Sequence, residues 1–179
     1  MIKGSVVRKK ILDKNEINII SKYILDNENK IKKLGEDTYQ GTSDNSLTGR
    51  YKLYNLFNSD IGPILRKKIL PFLEENNIKK PAWIKCWANT FRKGEGIDKH
   101  KHGDFDYICG NVFISGNTLT GTNYYLNNNK LNMPNKPGEV HLFDSNTVHG
   151  VDKNMYDDIR ISIAFDVIMK ETKNFFKWE

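Results

Sequence analysis

The sequence predicts an α+β protein, mainly β, in which helices precede a barrel or sandwich of short strands. Three observations carry that expectation. Apolar residues in the first eighty positions recur at helical spacing. From Ala82 onward, short segments rich in aromatic and β-branched residues alternate with Gly, Asn and Pro clusters. The length, 179 residues, suits one domain with a sizeable core. Residues 1–81 read as helical support, 82–170 as the core and 171–179 as a tail.

The elements follow in order. Asp13 with Glu16 three positions on has the form of a capping box. Ile17, Ile20, Ile24, Ile31 and Leu34 then recur on one helical face until Gly35 closes the run. Residues 37–50 are polar and contain two glycines, so they read as a loop. A second helix is expected from Ile61 to Glu75, which Pro63 or Pro71 starts or bends. The strand candidates are WIKCWANTF, YICGNVFIS, TNYYL, GEVHLFD, HGVDK and RISIAFDVI, with 127–138 as a turn-rich link. Phe175, Phe176 and Trp178 in the tail are too apolar to be left in water. They are expected to dock on the N-terminal helices or on a second subunit, which leaves a monomer or a homodimer open.

Composition excludes several function classes. No apolar run is long enough for a membrane span, and no secretory leader pattern is present, so a cytoplasmic protein is expected. Cys86 and Cys109 lack paired spacing, which fits a reducing compartment and argues against a disulfide scaffold or a Cys-ligated zinc site. The net charge of +6 comes from lysines spread along the chain rather than from an arginine-rich patch. That reads as a solvated surface more than as a nucleic-acid interface.

The chemistry concentrates in one third of the chain, which holds all four histidines. His100 and His102 stand at i and i+2, a spacing that puts both on one face of an extended strand. His149 follows the strand EVHLFDS. Three imidazoles arranged this way can converge on Fe(II), Zn, Cu or Ni. His141 alternates with Val140 and Leu142 and reads as a packed or hydrogen-bonded histidine. Arg160 lies eleven residues beyond His149, on the polar face of RISIAFDVI with Ser162. A guanidinium beside a hydroxyl is a carboxylate receptor.

Together these residues resemble the 2-oxoglutarate- and Fe(II)-dependent oxygenases. FRKG followed by HKH looks like the prolyl-hydroxylase approach to the first metal ligands. GEVHLFDSNTVHGV looks like the strand-turn-strand that delivers the distal histidine. RIS, residues 160–162, matches that family's Arg-X-Ser. WAN together with HKH resembles an oxygenase subgroup of marine bacteria and phages. The resemblance implies a double-stranded β-helix (jelly-roll, cupin-like) core with the N-terminal helices packed on it. It implies Fe(II) on His100, His102 and His149, and 2-oxoglutarate on Arg160 and Ser162. O2 would serve as oxidant, with hydroxylation of an unactivated C–H bond and release of succinate and CO2. The substrate expected is a protein side chain, an amino acid or another small molecule rather than nucleic acid.

Two positions depart from the family pattern. The carboxylate of the His-X-Asp/Glu triad is replaced by His102, unless Asp104 or Asp106 serves instead. The strand tyrosine that holds 2-oxoglutarate is replaced by Phe113, with Tyr107, Tyr125 and Asn89 as alternative donors. Two rival readings stay open: a three-histidine cupin-like metal protein that does not use 2-oxoglutarate, and a non-enzymatic jelly-roll binding module.

Overall fold

The computed structural model describes residues 2, 4–33, 55–102, 108–127 and 129–179. The expected 37–50 loop, Leu34, Gly35, Asp104, Asp106 and Tyr107 lie outside the described residues. Among the described residues, ten strands form two antiparallel sheets. The larger has the order β1-β7-β4-β9-β2-β10, and the smaller β3-β8-β5-β6. In chain order they are β1 (Val6–Lys10), β2 (Ala82–Phe91), β3 (Ile97–His100), β4 (Ile108–Ser115), β5 (Thr122–Leu126), β6 (Asn129–Met133), β7 (Glu139–Asp144), β8 (Val148–Val151), β9 (Arg160–Ile168) and β10 (Phe176–Trp178).

Two helices, α1 (Lys14–Lys33) and α2 (Gly62–Glu75), pack with the outer face of the large sheet. The capping box at the start of α1 forms as the sequence predicts. The Asp13 amide donates to Glu16 Oε2, and the Glu16 amide donates to Asp13 Oδ1, each at 2.9 Å. Pro63 occupies the first turn of α2, where a missing N–H costs nothing, while Pro71 lies inside the helix. A bidentate ion pair from Arg92 to Glu28, 2.8 and 2.6 Å, ties the end of β2 to α1.

The large sheet has two unlike faces because side chains alternate along each strand. On β9, Ile161, Ile163, Phe165 and Val167 are buried in the core shared with Ile20, Ile24, Leu65, Ile69 and Phe72 of the helices. Arg160, Ser162, Ala164 and Asp166 face the other way, into a cavity between the sheets. β9 is the spine of this sheet. It pairs with β2 from Trp83↔Ile168 to Phe91↔Arg160, and with β4 from Ile108↔Val167 to Ser115↔Ile161.

Four strands lie outside the six candidates: β1 at the edge beside β7, β3, which holds His100 but ends before His102, β6 inside the expected turn-rich link, and β10 from the apolar tail. That tail docks by pairing with β2. Phe176 meets Phe57 edge-on at 5.5 Å, and Trp178 is buried.

Gly110 of β4 shows how tightly the core is drawn against the sheet. A Cβ there would lie 1.9 Å from Cζ of Phe165, so the ring occupies the place of a side chain. Gly110→Ala should therefore lower stability by about 1–3 kcal/mol through overpacking, measured by urea unfolding. An unchanged midpoint would contradict this packing.

Candidate active site

The cavity between the sheets has a volume of about 540 Å³. Its large-sheet wall is built in cross-strand rows that follow from the register. Phe91 sits beside Arg160 and Asn89 beside Ser162, Ala164 sits between Trp87 and Asn111, and Asp166 sits between Lys85 and Cys109. The opposite wall belongs to the small sheet, where His100, His149 and Tyr124 form one row across β3, β8 and β5. His102 lies two residues past the end of β3, and its amide donates to the Ser145 carbonyl at 3.0 Å.

His100, His102 and His149 offer ring nitrogens that lie within 4.8 Å of one another. Their environments set the tautomer. His100 Nδ1 is 2.8 Å from the Asp98 carbonyl, and His149 Nδ1 is 2.9 Å from the Thr147 carbonyl. A carbonyl only accepts, so each Nδ1 carries the proton and each Nε2 keeps its lone pair. His102 Nδ1 is 2.8 Å from Asp166 Oδ1. Burial, then the neighbouring His100 and His102, lowers the His149 pKa to about 3, so this imidazole stays neutral. Three imidazoles brought together in this way suit a divalent first-row metal.

Arg160 is fully buried. Its Nε donates to the Thr120 carbonyl at 2.9 Å. Nη1 donates to Ser162 Oγ and Nη2 to Thr122 Oγ1, each at 3.1 Å. The guanidinium also lies over the rings of Phe91 and Phe113, at 5.4 and 5.5 Å. No carboxylate pairs with it among the described residues. Burial lowers its pKa to about 10, which still leaves it charged near neutrality. A buried cation held only by neutral groups is costly to a folded protein. Two of its five N–H donors are left over after these three bonds, so the arrangement fits an anionic carboxylate.

The structure brings His100, His102, His149, Arg160, Ser162 and Asn89 to this one cavity. The amide oxygen of Asn89, and that of Asn111 nearby, are buried without a hydrogen-bond partner among the described residues. Tyr125 is placed elsewhere. Strand parity turns Thr122 and Tyr124 toward the cavity, while Tyr125 lies on the other face of β5 under the Lys99 ammonium, 4.2 Å from the ring centre. Sequence reasoning missed Thr122, Tyr124 and Asp166. For Asp166 a signal existed, because it continues the period-two face of Arg160 and Ser162.

His141 lies outside the three-histidine group. Its Nδ1 is 3.1 Å from the Tyr124 hydroxyl, and its Nε2 is buried 3.9 Å from Glu139. Burial, followed by Arg8, Arg160 and Lys136, lowers its pKa to about 4. Between pH 4 and 6.5 the unfolded chain therefore binds more protons at His141 than the folded one. Its contribution is complete above pH 6.5 and falls away as pH drops toward 4. His141→Gln, which cannot titrate, should flatten the loss of stability across that window, by at most about 3 kcal/mol. Urea unfolding at pH 7 and pH 4.5 measures it, and a slope equal to wild type would refute the assignment.

Residues 112–166 match the model of the family described as "Putative 2OG-Fe(II) oxygenase". The matched segment contains His149, Arg160, Ser162 and Asp166, and it excludes His100 and His102. No curated protein sequence matches the chain. Among solved structures the chain is similar to EvdMO1, with TM-score 0.69 and 13% identity over 93% of this chain and 47% of that one. It is similar to SnoN, described as a non-heme alpha ketoglutarate dependent epimerase from nogalamycin biosynthesis. There the TM-score is 0.65 at 14% identity, over 93% and 78% of the two chains. It is also similar to HygX from Streptomyces hygroscopicus, solved with nickel, 2-oxoglutarate and hygromycin B bound. That match has TM-score 0.66 and 9% identity, over 93% and 83%. The chain thus spans about half the length of EvdMO1. At these identities the likeness is one of fold. The architecture is the jelly roll of 2-oxoglutarate-dependent oxygenases, with the N-terminal helices packed on it, and the resemblance seen in the sequence holds in both comparisons.

Proposed function

We propose that this protein is an Fe(II)- and 2-oxoglutarate-dependent dioxygenase that hydroxylates an unactivated C–H bond of a peptidyl or small-molecule substrate. The observation that carries the reading is Arg160, a buried guanidinium without a carboxylate partner among the described residues, in the same cavity as three histidines. Iron and 2-oxoglutarate together supply the oxidising chemistry when bound: O2 is consumed, succinate and CO2 are released, and the substrate gains a hydroxyl.

The chain's own residues prepare that chemistry. His100, His102 and His149 would hold the metal, and the carbonyl acceptors at Nδ1 of His100 and His149 keep those two rings turned toward it. Arg160 receives the far carboxylate of 2-oxoglutarate. Ser162 and Thr122 fix the guanidinium fork, and Phe91 and Phe113 exclude water around it. Asn89 and Tyr124 line the space between the two ends. Three neutral ligands leave the metal's full charge uncompensated among themselves, which favours a doubly negative cosubstrate.

Lys85, Trp87, Lys99 and Lys101 also line the cavity and would be available to a substrate. The small molecule held in HygX supports the small-molecule alternative. The two buried free thiols support action in a reducing compartment, the cytoplasm. A three-histidine metal protein that makes no use of 2-oxoglutarate is the second reading, favoured only by His102 at the carboxylate position.

Anaerobic addition of Fe(II), then 2-oxoglutarate, should produce a weak visible charge-transfer band. His149→Ala should abolish it. Arg160→Ala should raise the 2-oxoglutarate concentration needed by about 10- to 100-fold, the worth of a charged hydrogen-bonding partner. Bound iron without a band in wild type would overturn the proposal and leave the second reading.

A further inference from the structure

Asp166 brings a carboxylate within ion-pair distance of one of the three histidines. It lies on β9, one cross-strand row beyond Trp87, Ala164 and Asn111, and faces the cavity. Its Oδ1 approaches His102 Nδ1 to 2.8 Å, and both side chains are largely buried, at 18% and 16% exposure. No hydrogen bond of ordinary geometry reaches Oδ1 among the described residues, so the contact with His102 is a close approach of an acceptor to a ring nitrogen. Asp166 falls within 4.8 Å of His102 and Cys109, but it is not part of the group formed by His100, His102 and His149. Oxygens and nitrogens around one ion would all lie within that range, so Asp166 is not placed as a fourth ligand.

We infer that Asp166 is a positioning residue for the metal centre. It accepts the Nδ1 proton of His102, fixes the Nε2 tautomer toward the ion and supplies the one negative charge that the ligand set lacks. This inference rests on the metal-binding reading above. The other two histidines are oriented by backbone carbonyls, which no substitution removes. His102 has no strand to hold it, since β3 ends at His100. A carboxylate partner both orients such a ring and raises its basicity. The protein thereby places its anion behind the ligand, where the family pattern places it on the metal.

The test is a double-mutant cycle read by Fe(II) affinity under anaerobic conditions, with the melting temperature of the metal-free chains as control. Asp166→Asn should weaken Fe(II) binding about 10- to 100-fold, the usual cost of losing such a partner, while Asp166→Glu restores most of it. In the His102→Ala background, Asp166→Asn should cost less than about threefold, because the ring through which it acts is gone. The charge-transfer band of wild type with 2-oxoglutarate should also shift in Asp166→Asn. Wild-type affinity in Asp166→Asn would overturn the inference while leaving the metal centre standing. An equal loss in both backgrounds would also overturn it, making Asp166 a ligand in its own right. Wild type without Fe(II) affinity would overturn the metal reading itself, and this inference with it.

Discussion

Everything in this protein hangs on one strand that must satisfy two solvents at once. Residues 160–168 alternate so that isoleucine, phenylalanine and valine enter an apolar core while arginine, serine and aspartate enter a polar cavity. A one-residue slip would exchange the two sets, burying a guanidinium among isoleucines. The register with β2 and β4, held along nearly the whole strand, forbids that. The helices therefore matter to the chemistry although they contribute no group to it. By covering the apolar face they fix which face is left for the cavity.

The second constraint is electrostatic. Arg160 is taken out of water without a counter-ion among the described residues, and only hydroxyls, a carbonyl and two aromatic faces compensate it. Such an arrangement opposes folding and favours binding, because an incoming carboxylate recovers what desolvation cost. At the other end of the same strand, Asp166 puts a carboxylate on the cavity wall, with Lys85 beside it on β2.

Much of this was legible in the residues. The capping box at Asp13, the alternation of RISIAFDVI and the clustering of the histidines each follow from local chemistry that the chain cannot hide. What was missed needed partners distant in sequence. β6 reads as a loop because Asn, Lys and Pro carry no strand pattern, and its pairing is supplied by β5. β1 is a lysine-bearing edge strand whose identity depends on β7. Between Tyr124 and Tyr125 the sequence gives no choice of face, and only the pairing of Tyr124 with His149 settles it. Asp166 was visible as a position but not as a neighbour, since nothing in the sequence says that His102 will fold back over β9.

The pairing of β3 with β8 carries one more consequence. That ladder is short and irregular, with Ile97 opposite Val151 and His100 opposite His149. Two of the three imidazoles therefore face each other across an irregular seam at the edge of the small sheet. An ion gripped by both would rivet the seam, so that edge fraying and metal escape become a single event. Loss of the ion on warming would then report the loosening of an outer strand, well before the apolar layer beneath the helices gives way.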